Sequence, residues 1–327
     1  MKLATLKEGG RDGTLLVVDR TGTRAIRVPQ LAATLQLAME NWEGIAAQLN
    51  EVYHGLNDDE HRGFPVETSK LAAPLPRTFQ WLDGSAYLSH VERVRKARGA
   101  ELPDQLLTDP LMYQGAGDTL LGPRDPICLA DEDWGLDFES EVGVITDEVP
   151  VGATPDQAAG HIKLLVLIND VSLRNLIPQE LAKGFGFLQG KPSSALSPLA
   201  VTPDDCNGAW DGKKLHLPLL TWLNEARFGE PDAGEGMQFD FPALVSHAAR
   251  TRKLSAGTLI GSGTVSNSDS SRGCSCLIEK RVLEVIESGA ASTPFLRFGD
   301  RVRIAMLDRD GGSIFGDIEQ DVVACPD

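Results

Sequence analysis

Basic charge is scarce in this sequence. It sets 31 Lys and Arg against 47 Asp and Glu, a net charge of −16. A nucleic-acid backbone or an anionic membrane surface is a poor partner for such a chain. Long apolar runs are missing too. No stretch approaches the ~20 residues of a membrane-spanning helix. Met1-Lys2-Leu3-Ala4-Thr5-Leu6-Lys7-Glu8 is not an apolar leader. Cysteine is sparse, five in all and odd in number. Cys274 and Cys276 are spaced C-x-C, not the C-x-x-C of zinc and redox sites. Reduced thiols in a cytoplasm are the expectation. Several enzyme signatures are absent: G-x-G-x-x-G after a strand, the P-loop, H-E-x-x-H and G-x-S-x-G. The 6 histidines are scattered, with no pair at i, i+4. Dinucleotide, NTP, zinc-protease and serine-hydrolase chemistry are thereby disfavoured.

What is present begins with Asp137-Phe138-Glu139-Ser140-Glu141-Val142-Gly143-Val144-Ile145. The β-branched run reads as a strand. Glu139 and Glu141, at i and i+2, then stand on one face about 7 Å apart. Two such charges in a half-buried place are screened by water, share a proton, or hold a cation between them. A second stretch narrows the choice. Leu164-Leu165-Val166-Leu167-Ile168 is a continuous apolar run, as for a strand buried on both faces, and it ends in Asn169-Asp170. An acid at the mouth of a buried strand needs a partner, because an unpaired buried charge is costly. Three carboxylates from two strands make an all-oxygen site suited to Mg²⁺, Ca²⁺ or Mn²⁺.

The 327 residues, 42% of them hydrophobic, suffice for one large domain and a smaller one. Strands are expected at 14–18 and 25–28, then one helix over 31–56 from its apolar spacing. The proline-rich stretch 72–77 reads as a linker, with a boundary near residue 75 and domains 1–75 and 76–327. A helix is expected from about Ser85. Its continuation, Arg93-Val94-Arg95-Lys96-Ala97-Arg98-Gly99, is either a solvated face or a positive field over the site. Residues 109–115 read as a loop. Val171–Asn175 reads as the start of a short helix that Pro178 confines. Residues 184–192 form a glycine-rich loop ending at Lys191. Further strands are expected at 215–223, 257–264, 301–307 and 316–323, and a helix over 241–252. Strand blocks with few long helices predict an α+β, β-rich core, not a doubly wound sheet.

These motifs, in order, resemble the fumarylacetoacetate hydrolase family. They are Asp83…His90, Asp137-Phe138-Glu139-Ser140-Glu141, Asn169-Asp170-Val171-Ser172-Leu173-Arg174, Gly190-Lys191-Pro192-Ser193, Gly261-Ser262-Gly263-Thr264 and Glu279. The resemblance spans roughly 76–327, and residues 1–75 look like the small N-terminal α+β domain of longer members. It implies a mixed β-sandwich or roll and a homodimer acting on a small dicarbonyl substrate. It implies Mg²⁺, Ca²⁺ or Mn²⁺ held by Glu139, Glu141 and Asp170, with Asp83 as a fourth ligand. It also implies His90 as the water-activating base, Glu279 as its orienter, Arg174 and Lys191 as cations for the enolate and oxyanion, and Tyr113 and Thr264 as substrate contacts. The implied reaction is C–C hydrolysis of an acylpyruvate or fumarylacetoacetate-like compound in aromatic catabolism. Decarboxylation of a 2-oxo acid and hydration of a dienol are the alternatives within the family; a metal-stabilised binding module is the alternative outside it. Two departures stand out. The hydrolases continue from the arginine as R-D-I-Q, where this chain has Arg174-Asn175-Leu176-Ile177. The hydroxyl expected shortly after the lysine meets Ala195.

Overall fold

The computed structural model describes residues 1–97 and 107–326. Arg98 and Gly99 of the basic run lie outside them, and within that run Arg93 alone has a described side chain at a basic position. The architecture is α+β and rich in sheet. Among the described residues an eleven-stranded sheet runs through Phe64–Pro65, Arg24–Arg27, Thr14–Val18, Lys2–Leu6, Ala200–Val201, Ile162–Asn169, Ser140–Thr146, Thr258–Gly261, Trp81–Gly84 and Met112–Gly115. Ala195–Leu196 also pairs with Ile162–Asn169. A five-stranded sheet holds Ala226–Gly229, Leu220–Leu223, Arg301–Ala305, Ile318–Ala324 and Ile127–Leu129.

The apolar run at 164–168 explains the layering. Side chains alternate across a strand, and here both faces are covered. Leu164, Val166 and Ile168 share one core with Leu15 and Val17 and with Trp42, Ile45 and Leu49 of the helix Trp42–Asp58. Leu165 and Leu167 share the other with Val302, Ile304 and Ile318 of the second sheet. The first strand, Lys2–Leu6, pairs with Ala200–Val201, so the N-terminal strands extend the central sheet.

Several elements differ from the sequence reading. The helical spacing over 31–56 spans two helices, Leu35–Glu40 and Trp42–Asp58; Asn41 leaves helical geometry at φ −124°, ψ 31°. The helix near Ser85 starts at Leu88, the one at 241 ends at Ala248, and the strand at 215–223 shortens to Leu220–Leu223. Residues 109–115 are not all loop, for Met112–Gly115 pairs with Trp81–Gly84 at the sheet edge. Val171–Asn175 opens no helix. Ser172–Leu173 pairs with Leu136–Asp137, and the helix Ile177–Lys183 begins later with Pro178 in its first turn. There proline's missing N–H removes no helical bond. The strand expected over 137–145 is split. Leu136–Asp137 and Ser140–Thr146 belong to different sheets, and Phe138-Glu139 make the crossing.

Candidate active site

That crossing sets the site. Glu141 keeps its place on Ser140–Thr146 opposite Ile168, while Glu139 sits at the step and its carbonyl accepts from Asp170 N at 2.9 Å. Asn169 Oδ1 accepts from Glu139 N at 3.3 Å, and Asn169 Nδ2 donates to Gln320 Oε1 at 3.0 Å. The buried asparagine thereby pins the crossing to the second sheet. Asp83 arrives from the neighbouring strand Trp81–Gly84. Ligand oxygens of Asp83, Glu139, Glu141 and Asp170 lie within 4.8 Å of one another, and all four residues are buried.

The space for them depends on Gly261. A Cβ there would meet Asp83 Oδ1 at 2.5 Å and Glu141 Oε2 at 2.9 Å. Gly263, at φ +76°, turns the chain so that its N–H donates to Asp83 Oδ1 at 3.0 Å. Side chains other than glycine rarely adopt that conformation.

Two cations answer the four carboxylates. Lys191 Nζ lies 2.7 Å from Glu139 Oε2 and 2.5 Å from Asp170 Oδ2. Burial alone would lower its pKa, but Asp170 and Glu139 outweigh that and keep it an ammonium. Arg174 donates from Nε to Asp137 Oδ2 at 2.8 Å and from Nη2 to Glu139 Oε1 at 2.6 Å. Its ion pairs are thus with Asp137 and Glu139, and the cation on Asp170 is Lys191. The loop before Lys191 is tied by Glu180, whose carboxylate accepts from the N–H groups of Leu188, Gln189 and Gly190.

The charge does not balance. Burial opposes ionisation of Glu139, but Arg174 and Lys191 overcome it and hold its pKa down. Burial raises Asp83 and Glu141; repulsion from Asp170 adds to the rise in both, and Asp83 further raises Glu141. Burial also raises Asp170, against the pull of Lys191. Both carboxyl oxygens of Glu141 are buried with no hydrogen-bond partner among the described residues. Orphaned oxygens beside three further carboxylates, in a cradle that one Cβ would fill, fit a hard divalent cation.

The second group stands on the helix Leu88–Ala97. His90 and Arg93, at i and i+3, share a face. His90 Nδ1 is 2.6 Å from Glu279 Oε2; Arg93 Nη1 donates to Glu279 Oε1 at 2.5 Å and to Ser266 Oγ at 3.1 Å, and Ser266 Oγ in turn donates to Glu279 Oε1 at 2.9 Å. Burial opposes the charge on Glu279, but His90 and then Arg93 lower its pKa below the usual value. Glu279 lies in the first turn of the helix Leu277–Ser288, where the helix dipole favours an anion. That helix has no side-chain cap of its own. Asp137 supplies one, accepting from Leu277 N at 2.7 Å and Ile278 N at 3.0 Å.

A cavity of 150 Å³ joins the groups, lined by Asp83, His90, Tyr113, Glu139, Lys191 and Thr264 among others. Arg174 lines it as well. Tyr113 Oη donates to Asp170 Oδ2 at 2.6 Å. All ten residues named from the sequence therefore converge: seven line the cavity, Glu141 and Asp170 join through the carboxylates, and Glu279 through His90. Sequence reasoning missed three others. The hydroxyl sought after the lysine is Ser194, one residue before Ala195; its Oγ donates to Asp170 Oδ1 at 2.7 Å. Arg93, read with the basic run, is turned toward Glu279. Asp137 stood inside the quoted motif without a role.

Comparison with known proteins identifies the family and the fold. The family described as "Fumarylacetoacetate (FAA) hydrolase C-terminal" matches residues 80–323, and "Fumarylacetoacetase N-terminal domain 2" matches residues 1–77. A 2,4-didehydro-3-deoxy-L-rhamnonate hydrolase of Sphingomonas sp. (strain SKA58) is 29% identical over 160 residues, 48% of this chain and 53% of that protein. The chain thus spans about half the length of that relative. Oxaloacetate tautomerase YisK of Bacillus subtilis (strain 168) is 23% identical over 254 residues, 76% of this chain and 74% of that protein. Maleylpyruvate hydrolase from Sphingobium sp. SYK-6, solved with manganese(II) and pyruvate, superposes with a TM-score of 0.67 at 16% identity, covering 100% of both chains. At that identity the likeness is one of fold.

Proposed function

The chain belongs to the fumarylacetoacetate hydrolase family, and from that premise we propose that it is a metal-dependent hydrolase of a C–C bond in an acylpyruvate or fumarylacetoacetate-like compound. The observation that carries the reading is His90, seated on an ionised Glu279 in the same cavity as the carboxylates. A binding module has no use for a base held in that way.

Glu139, Glu141, Asp170 and Asp83 would hold Mg²⁺, with Ca²⁺ or Mn²⁺ as substitutes. Once bound, the ion supplies Lewis acidity toward the oxygens of a 2-oxo acid. The remaining work falls to side chains. Glu279 accepts from Nδ1 of His90, which leaves Nε2 to take a proton from water. The water oxygen bonds to the acyl carbonyl carbon. The C–C bond to the pyruvyl methylene then breaks, its electron pair passes into the pyruvate enolate, and the proton held by His90 is returned to that carbon. Lys191 and Arg174 place positive charge where the enolate and oxyanion develop. Tyr113 and Thr264 contact the substrate. The enzyme works as a homodimer, in aromatic-compound catabolism. The YisK relative keeps a second reading in view, tautomerisation or decarboxylation of a 2-oxo acid, which needs no attack by water. An absorbance screen of acylpyruvates, fumarylpyruvate and oxaloacetate, with and without Mg²⁺, tests the proposal. Metal-dependent loss of acylpyruvate absorbance is expected; turnover of oxaloacetate alone would favour the second reading.

A further inference from the structure

The 150 Å³ cavity is small against the ~300–1,000 Å³ of ordinary ligand sites. It has room for a pyruvyl head and little more. A second cavity, of 750 Å³, adjoins it. Tyr113 and Phe187 line both, and their rings meet edge to face with centroids 5.1 Å apart. The pair stands where the two cavities meet.

The outer cavity has an unusual wall. His247, Arg250 and Arg252 line it, and no Asp or Glu among the described residues does, in a chain where acids outnumber Lys and Arg by 47 to 31. Asp109, nearby, engages two of the three bases, its Oδ1 lying 3.5 Å from His247 Nδ1 and 3.7 Å from Arg250 Nη2. Arg252 has no carboxylate partner among the described residues. Its Nη1 gives one hydrogen bond, 3.5 Å long, to Gln114 Oε1. Phe185, 99% exposed, and Phe187 add apolar surface to the same wall.

We propose that this outer cavity is a subsite for a carboxylate on the substrate's tail, with Arg252 as its anchor. A guanidinium matches a carboxylate through two parallel hydrogen bonds. The aromatic wall suits an unsaturated or aliphatic spacer, and the substrate class becomes 2-oxo dicarboxylates. A neutral polyhydroxylated tail has no counterpart for Arg252. The inference rests on the reading of the inner cavity as the seat of a 2-oxo acid head.

Isothermal titration with Mn²⁺ present separates the two. The probes are 2-oxoadipate, with a tail carboxylate, and 2-oxohexanoate, of equal chain length without one. The diacid is expected to bind about tenfold more tightly, the scale of one charge-assisted hydrogen bond. Arg252→Ala should bring the ratio near one, and Arg252→Glu below one. Equal affinities in the wild-type protein would overturn the tail subsite and leave the 2-oxo acid reading standing. A ratio unmoved by either substitution would overturn the assignment to Arg252. Failure of both acids to bind would overturn both readings.

Discussion

Two acid-bearing groups face the same cavity and are built on opposite terms. At one end four carboxylates meet two cations, and three of the four have their pKa values pushed up. At the other, a single buried carboxylate, Glu279, is met by His90, Arg93 and Ser266, and its pKa is pushed down. Burial is severe in both places, so burial is not the difference. Donors are. Where donors are in deficit, the proposed role is to hold a cation from outside; where they are in balance, it is to fix an anion that orients the proposed base. Neighbouring carboxylates can thus be assigned different tasks from their partners alone.

Removing an acid from the first group should have the largest effect. Glu139→Gln or Asp170→Asn is expected to abolish metal binding and turnover together. Calorimetry with Mn²⁺ checks the first and the acylpyruvate assay the second; full activity after EDTA treatment would undo the contrast. His90→Ala strikes the other end alone. Metal affinity should hold while kcat for C–C hydrolysis falls ~10²–10⁴-fold. Wild-type hydrolysis in that variant would remove His90 as the base. Lys191→Met comes next, with kcat expected to fall about 10²-fold, the scale of one lost oxyanion donor. A raised KM with normal kcat would assign the lysine to ground-state binding.

The smallest effect is a control on the idea that donors decide. Glu284 lies far along the helix Leu277–Ser288, outside the cavity's lining. Burial tends to raise its pKa, but Thr293 and Ser292 donate to it and bring it to about 2 from 4.5. A carboxylate with a depressed folded-state pKa adds stability above its unfolded value, and that stability is lost as pH falls through the folded one. Melting temperatures of wild type and Glu284→Gln should therefore differ most above pH 4.5 and converge toward pH 2. A gap independent of pH would show that its hydrogen bonds act without its charge.

Much of the site was legible because its chemistry is carried by local motifs. Glu139 and Glu141 two apart and Asp170 at the end of an apolar strand announce themselves within a few residues, whereas Lys191, at the end of its glycine loop, took its role from the family resemblance. What was not legible depends on contacts distant in sequence. Arg174 reaches Asp137 because Ser172–Leu173 pairs with Leu136–Asp137, a register that no composition reveals. Arg93 looks like part of a basic surface run until the helix Leu277–Ser288 brings Glu279 against it. The break at Asn41 interrupts an apolar spacing that continues almost unchanged, so periodicity alone reads one helix. Tyr113 lies in a segment that pairs at a sheet edge, where strand pairing is set by the neighbour more than by propensity.

The pairing of Lys2–Leu6 with Ala200–Val201 has a consequence for self-association. Take away the first 75 residues and Ala200–Val201 becomes an open strand edge, while Leu164, Val166 and Ile168 lose the apolar cover of the helix Trp42–Asp58. A bare edge next to uncovered aliphatic side chains is a template for any extended segment it meets. Seen this way the N-terminal strands are a guard rail, shielding the sheet that carries the carboxylates from self-association while contributing no residue to the lining of the 150 Å³ cavity.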